Sequence, residues 1–231
     1  MFYLSKTPTI IQRLFNNYIW RFPITDRKVI YLTFDDGPTP EITEWTLQEL
    51  KKFNAKATFF CIGKNIENHP EIFQKIIENG HSIGNHTHNH LNGWKTDNVS
   101  YFENIEKANK SIQSAISNFQ SKVEKKKSNN LEIRTHNSEL LFRPPYGKIK
   151  PRQATELIKK GVKIILWDIL SGDFDTDLSR EKSLENCIKH SKNGSIIVFH
   201  DSVKAADKLK YILPQVLAHF KDKGFVFEKI R

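Results

Sequence analysis

Apolar residues along this 231-residue chain keep two alternating rhythms. Seven short runs rich in β-branched and aromatic side chains stand out: VIYLTF (29–34), ATFFCI (57–62), HSIGN (81–85), LLFR (140–143), KIILWD (163–168), SIIVFH (195–200) and FVFEKI (225–230). Between most of them the period lengthens to that of a helix. Tyr101, Ile105, Ala108, Ile112, Ala115 and Phe119 step by four and three residues and form one apolar stripe. The stretch PEIFQKIIENG (70–80) reads as another helix, opened by Pro70 and stopped by Gly80. Strands alternating with helices predict parallel βα units, and strands apolar throughout predict a sheet covered on both faces. The expected fold is α/β, a TIM-barrel-like cylinder one strand short of eight. The polar stretch 121–139 breaks the rhythm and reads as a surface insertion, with a short strand or helix around 131–133 as the alternative.

Length suits one such barrel, and no repeat or linker divides it. Cys61 and Cys187 lie far apart in apolar or helical surroundings, which predicts two reduced structural thiols. The formal charge of +10 favours anionic surroundings. No nucleic-acid-reading motif accompanies it, and the lysines fall along helices that need solvated faces, so no nucleic-acid partner is expected. Lys6, Arg13 and Asn16–Asn17 interrupt every apolar span near the N-terminus. That excludes a membrane span there and predicts a cytoplasmic protein, with residues 1–27 as an extension packed on the barrel.

The chemistry-bearing residues gather in five places. TFDDGP (33–38) sets Asp35 beside Asp36 just after a strand, and adjacent carboxylates repel unless a cation or shared proton intervenes. In HTHNH (86–90), His86 and His90 are four apart, so one helical turn would bring both rings to one ion. Pairing His86 with His88, or His81 with a neighbour, would need an extended strand instead. FRPPYG (142–147) uses two prolines to fix Arg143 and the Tyr146 backbone N–H. SGDF (171–174) and IVFH (197–200) supply Asp173 and His200. Asp35, Asp36, His86, His90, Arg143, Asp173 and His200 all fall at or past the C-terminal ends of different expected strands, the barrel face on which active sites are built.

In this order, TFDDG, HTHNH, RPPYG, SGDF and IVFH resemble the polysaccharide deacetylase family, also called the NodB-homology domain or carbohydrate esterase family 4, over residues 28 to about 228. The resemblance implies a distorted (β/α)7 barrel. It implies Asp36, His86 and His90 as ligands of one divalent metal, usually zinc and sometimes another. By the same resemblance Asp35 is the general base, Arg143 orients it, Asp173 tethers the general acid His200, and the Tyr146 N–H binds the oxyanion. Thr87 braces the metal loop; His81 and His88 match no ligand position. Phe174 stands where the family commonly has Trp, and Ile197 where it commonly has Leu; both are expected to wall the acyl-methyl pocket. The implied activity is metal-dependent removal of N-acetyl groups from N-acetylglucosamine-containing glycans, peptidoglycan- or chitin-like, by a monomer. Two alternatives are hydrolysis of a small non-sugar amide and a non-catalytic glycan-binding domain.

Overall fold

The run at 29–34 lies at the heart of the sheet in a computed structural model that describes residues 4–126 and 140–231, with side chains except at 122–126. In chain order the first half holds α1 (Thr9–Leu14), β1 (Val29–Asp35), α2 (Ile42–Lys52), β2 (Ala57–Cys61), α3 (Gly63–Asn68), α4 (Pro70–Glu78), β3 (Ser82–Asn85) and α5 (Asn98–Lys126). There follow β4 (Leu141–Phe142), a 3-10 turn at Pro145–Gly147, α6 (Pro151–Lys159), β5 (Lys163–Ile164) and β6 (Ile169–Leu170). The chain closes with α7 (Arg180–His190), β7 (Ile196–His200), α8 (Ala206–Asp222) and β8 (Val226–Phe227). Every named strand pair is parallel, in the order β5-β4-β3-β2-β1-β7-β6, with β8 also beside β1. This is a distorted (β/α)7 barrel.

Strand alternation divides the core. Leu32, Phe34, Phe59, Ile197 and Phe199 point outward and pack with Leu50 of α2, Phe73 of α4 and Leu213, Val216 and Leu217 of α8. Phe60 and Ile196 point inward and meet Leu141, Ile165 and Ile230. Farther along the same inner face the residues become polar: Thr33, Asp35 and His200.

Seven strands form the main path, but not the seven read from the sequence. The run 163–168 stops pairing as a strand after Ile164, and the missed two-residue β6 takes a place at the sheet edge. The expected last strand shrinks to β8 and leaves the path, pairing with β1 below β2. Between β5 and β6 the N-terminal segment supplies the missing backbone partners. Ile19 N–H donates to Ile164 O at 2.9 Å and Leu166 N–H to Ile19 O at 2.8 Å. Thr7 N–H donates to Asp168 O and Leu170 N–H to Ser5 O, both at 2.8 Å.

The apolar stripe from Tyr101 to Phe119 lies on α5, which runs on through Lys126. Residues 121–126 are therefore helical rather than loop, because their Lys and Glu residues are good helix formers. The rest of the expected insertion, including 131–133, lies outside the described residues. Cys61 and Cys187 are buried and form no disulfide. Among the described residues no helix is long and apolar enough to cross a membrane.

Candidate active site

At the end of β1 the chain turns sharply, with Asp36 at φ 83°. A left-handed aspartate is uncommon and has to be held. Asn65 Nδ2 donates to Asp36 O at 2.7 Å, Gly37 N–H to Asp201 Oδ1 at 3.1 Å, and Asp201 N–H to Asp35 O at 3.2 Å. The Asp201 carboxylate also accepts from Thr43 Oγ1 at 2.5 Å. A Cβ on residue 37 would lie 2.1 Å from Asp201 Oδ2, so the approach requires glycine. Burial pushes the Asp201 carboxyl up to about 7, with the Thr43 hydrogen bond opposing and the Asp36 charge assisting. The sequence reading missed Asp201. The available signal was a second acid directly following His200.

The expected helical turn at 86–90 is absent. These residues form a loop in which Thr87 (φ 63°) and His90 (φ 55°) are left-handed. Polar side chains capture the backbone in place of helical bonds. Asn85 Oδ1 accepts from Thr87 N–H at 2.7 Å, and Thr87 Oγ1 accepts from Leu91 N–H at 3.1 Å. Asn104 Oδ1, on α5, accepts from His88 N–H at 2.8 Å and Asn89 N–H at 2.9 Å. The loop still brings His86 and His90 together with Asp36, the candidate ligand atoms all lying within 4.8 Å of one another.

That trio fits a metal ion. Asp36 Oδ1 is buried without a hydrogen-bond partner, 3.3 Å from His90 Nε2 and 3.8 Å from His86 Nε2. A carboxylate oxygen removed from water needs a cation or donor. His86 Nδ1 lies 2.8 Å from the Arg143 carbonyl, which can only accept, so Nδ1 carries the proton and Nε2 presents its lone pair beside Asp36. Burial, reinforced by His90, lowers the His86 pKa to about 3, and burial lowers that of His90 as well. Both rings are thereby kept neutral, the form that binds metals. His88 points elsewhere, with Nε2 3.8 Å from Glu67 Oε2, while His81 Nδ1 accepts from Ala57 N–H at 3.1 Å.

Arg143 follows β4 and is wholly buried. Its Nη1 donates at 2.7 Å to both Asp35 Oδ1 and Thr33 Oγ1, while Nε donates to Ile165 O and Nη2 to Leu166 O, each at 3.1 Å. Its guanidinium carbon lies 4.1 Å from the Phe60 ring centroid. This fork fixes one carboxylate edge and supplies its counter-charge.

Asp173 grips His200 twice, accepting from its backbone N–H at 2.7 Å and its Nδ1–H at 2.8 Å. Burial would lower the imidazole pKa. The Asp173 charge and hydrogen bond, helped by Asp36 and Asp35, overcome that and raise it to about 9. The Asp173 turn is braced from α7, where Ser183 Oγ and Asn186 Nδ2 donate to Ser171 O at 2.8 and 3.2 Å.

The Phe174 ring lies edge-on to His200, with centroids 5.1 Å apart, and the Tyr146 ring is 4.6 Å from that of His90. Ile197 does not wall this site. Three residues before His200 on one strand, it faces the opposite side of the sheet and packs in the outer core.

A family model described as polysaccharide deacetylase matches residues 23–165. A peptidoglycan-N-acetylglucosamine deacetylase of Bacillus cereus is 29% identical over 209 residues, covering 90% of this chain and 88% of that protein. A second B. cereus protein of the same description is 33% identical over 206 residues, covering 86% of this chain and 65% of its own length. The crystal structure of a peptidoglycan N-acetylglucosamine deacetylase aligns with a TM-score of 0.75 at 29% identity, over 97% of this chain and 95% of the other.

Proposed function

The chain belongs to the polysaccharide deacetylase family, and from that premise we propose that it is a metal-dependent hydrolase removing N-acetyl groups from N-acetylglucosamine-containing glycans, peptidoglycan foremost. The observation that carries the reading is the grouping of two separately anchored acid–base units with the Asp36, His86 and His90 trio. One is the Arg143-bound Asp35 carboxylate, the other the Asp173-bound His200 imidazole.

Asp36, His86 and His90 would hold a divalent ion, zinc by preference, which when bound supplies Lewis acidity toward water and the amide carbonyl. Asp35 takes the proton of the attacking water with the carboxylate edge that Arg143 leaves free. The Tyr146 backbone N–H donates to the oxyanion as the carbonyl carbon becomes tetrahedral. His200 then protonates the sugar nitrogen, which is a poor leaving group until it carries that proton. Asp173 keeps Nδ1–H bonded, so Nε2 delivers it. Phe174, edge-on to His200, borders the acyl group.

A glycan-binding module without activity has no use for a buried Arg143–Asp35 pair or a His200 held in its charged form, both of which cost desolvation. The test is acetate release from N-acetylglucosamine oligomers and peptidoglycan glycan strands. Chelator-treated protein should release none, and zinc should restore release. Cleavage of small amides with no acetate from either glycan would overturn the proposal.

A further inference from the structure

Trp94 is 59% exposed, yet it is held firmly. Its Nε1–H donates to Ile149 O at 3.1 Å and its backbone N–H to Asn92 Oδ1 at 3.0 Å. The preceding Gly93 is buried, with its N–H donating to Lys148 O at 3.1 Å and its carbonyl accepting from Gln153 Nε2 at 3.2 Å. A Cβ there would stand 2.6 Å from Lys148 O, so the close approach of the two segments depends on glycine. Lys150 Nζ donates to Thr96 O at 2.7 Å and extends the pairing.

These paired segments leave the candidate active site side by side. One starts at His90 and reaches Trp94 four residues later. The other passes through Tyr146, 54% exposed and 4.6 Å from the His90 ring, and reaches Lys148, whose Nζ lies 5.3 Å from the Trp94 ring centroid. The path from the metal-ligand trio therefore runs past one exposed ring to a second ring with an ammonium over one of its faces. Lys95, Lys148, Lys150 and Arg152 all lie on these segments. The acid they contain, Asp97, is engaged by the Ser100 N–H at 3.0 Å. Among the described residues no carboxylate pairs with Lys148.

We infer that Trp94 and Lys148 form a second glycan subsite, outside the catalytic one, that takes a sugar unit bearing a carboxylate, as the muramic acid of peptidoglycan does; the inference rests on the deacetylase reading. The apolar C–H face of a pyranose complements the electron-rich face of an indole. A carboxylate on that sugar lies within reach of the ammonium on the same ring. A neutral chitin-like chain would stack on Trp94 but leave Lys148 unanswered. The subsite thus favours an acidic glycan over a neutral one of equal length.

Binding can be measured apart from turnover in zinc-loaded Asp35→Asn protein. The ligands are a tetrasaccharide of alternating N-acetylglucosamine and N-acetylmuramic acid, and its methyl ester, followed by calorimetry at low salt. The free acid should bind about tenfold more tightly than the ester, the scale of one charge-assisted hydrogen bond. Lys148→Gln should erase that difference. Trp94→Ala should weaken both ligands, while Trp94→Phe, which keeps a ring, should retain most of the affinity. Equal binding of acid and ester, a preference that survives Lys148→Gln, or undiminished binding by Trp94→Ala would each overturn the subsite. Acetate release by the unmodified protein is scored separately. A binding preference without release leaves the subsite standing and removes the deacetylase reading, and release without a preference does the reverse.

Discussion

His200 is under two opposed pressures: burial, which disfavours its charge, and Asp173, which demands it. The charge wins, so the folded-state pKa is raised above the ordinary 6.5 to about 9. The ion pair accordingly stabilises the fold fully below the ordinary value and loses that contribution as pH climbs through the raised one. On the proposed mechanism catalysis shares the sign, since only the protonated ring can donate. A cation held at Asp36, as proposed, would cancel part of the raising field, so the alkaline limb of activity should fall between those two values. In Asp173→Asn only the weaker fields of Asp36 and Asp35 still oppose burial, and a pH–rate profile should show the limb displaced downward by roughly one unit or more. A uniform loss with an unmoved limb would mean that Asp173 merely shapes the loop. The grouping of Asp36, His86 and His90 with Asp35, Arg143, Asp173 and His200 was legible in the sequence, because strand ends of a parallel barrel share one face. The loop carrying His86 and His90 was not, since the left-handed turns at Thr87 and His90 depend on Asn85 and on Asn104, which is distant in sequence. The outward facing of Ile197 follows from strand parity and could have been read by counting from His200.

At the scale of elements, the part hardest to foresee is how the barrel closes. β5 and β6 have two residues each and do not pair with one another, leaving the backbone of Ile164, Leu166, Asp168 and Leu170 to be satisfied by the N-terminal segment. No local pattern announces this, because the partners lie more than a hundred residues apart and the edge strands are too short to show a period. β1, β2 and β7 were legible because each is a continuous apolar run buried on both faces. At roughly 1 kcal/mol for each backbone hydrogen bond, removing residues 1–22 should cost several kcal/mol. Denaturant unfolding should show that loss, with aggregation through the uncovered edge. Unchanged stability would mean that the segment merely rests on the barrel.

Across the whole molecule, the barrel interior below Thr33 is mostly apolar, with Asp168 buried against Ser195 and the Ile196 N–H, and turns densely polar at the C-terminal strand ends. There Asp35, Asp36, His86, His90, Arg143, Asp173 and His200 gather from five strand ends. Such concentrated buried charge is unfavourable for folding alone and is explained by chemistry that uses it. The most direct test is to compare Asp35→Asn with the unmodified protein for both bound zinc and acetate released from N-acetylglucosamine oligomers. Asp36, His86 and His90 are untouched by the substitution, so about one zinc per chain should remain while release falls at least a hundredfold, the scale of a lost general base. Substantial acetate release by zinc-loaded Asp35→Asn protein would contradict the account.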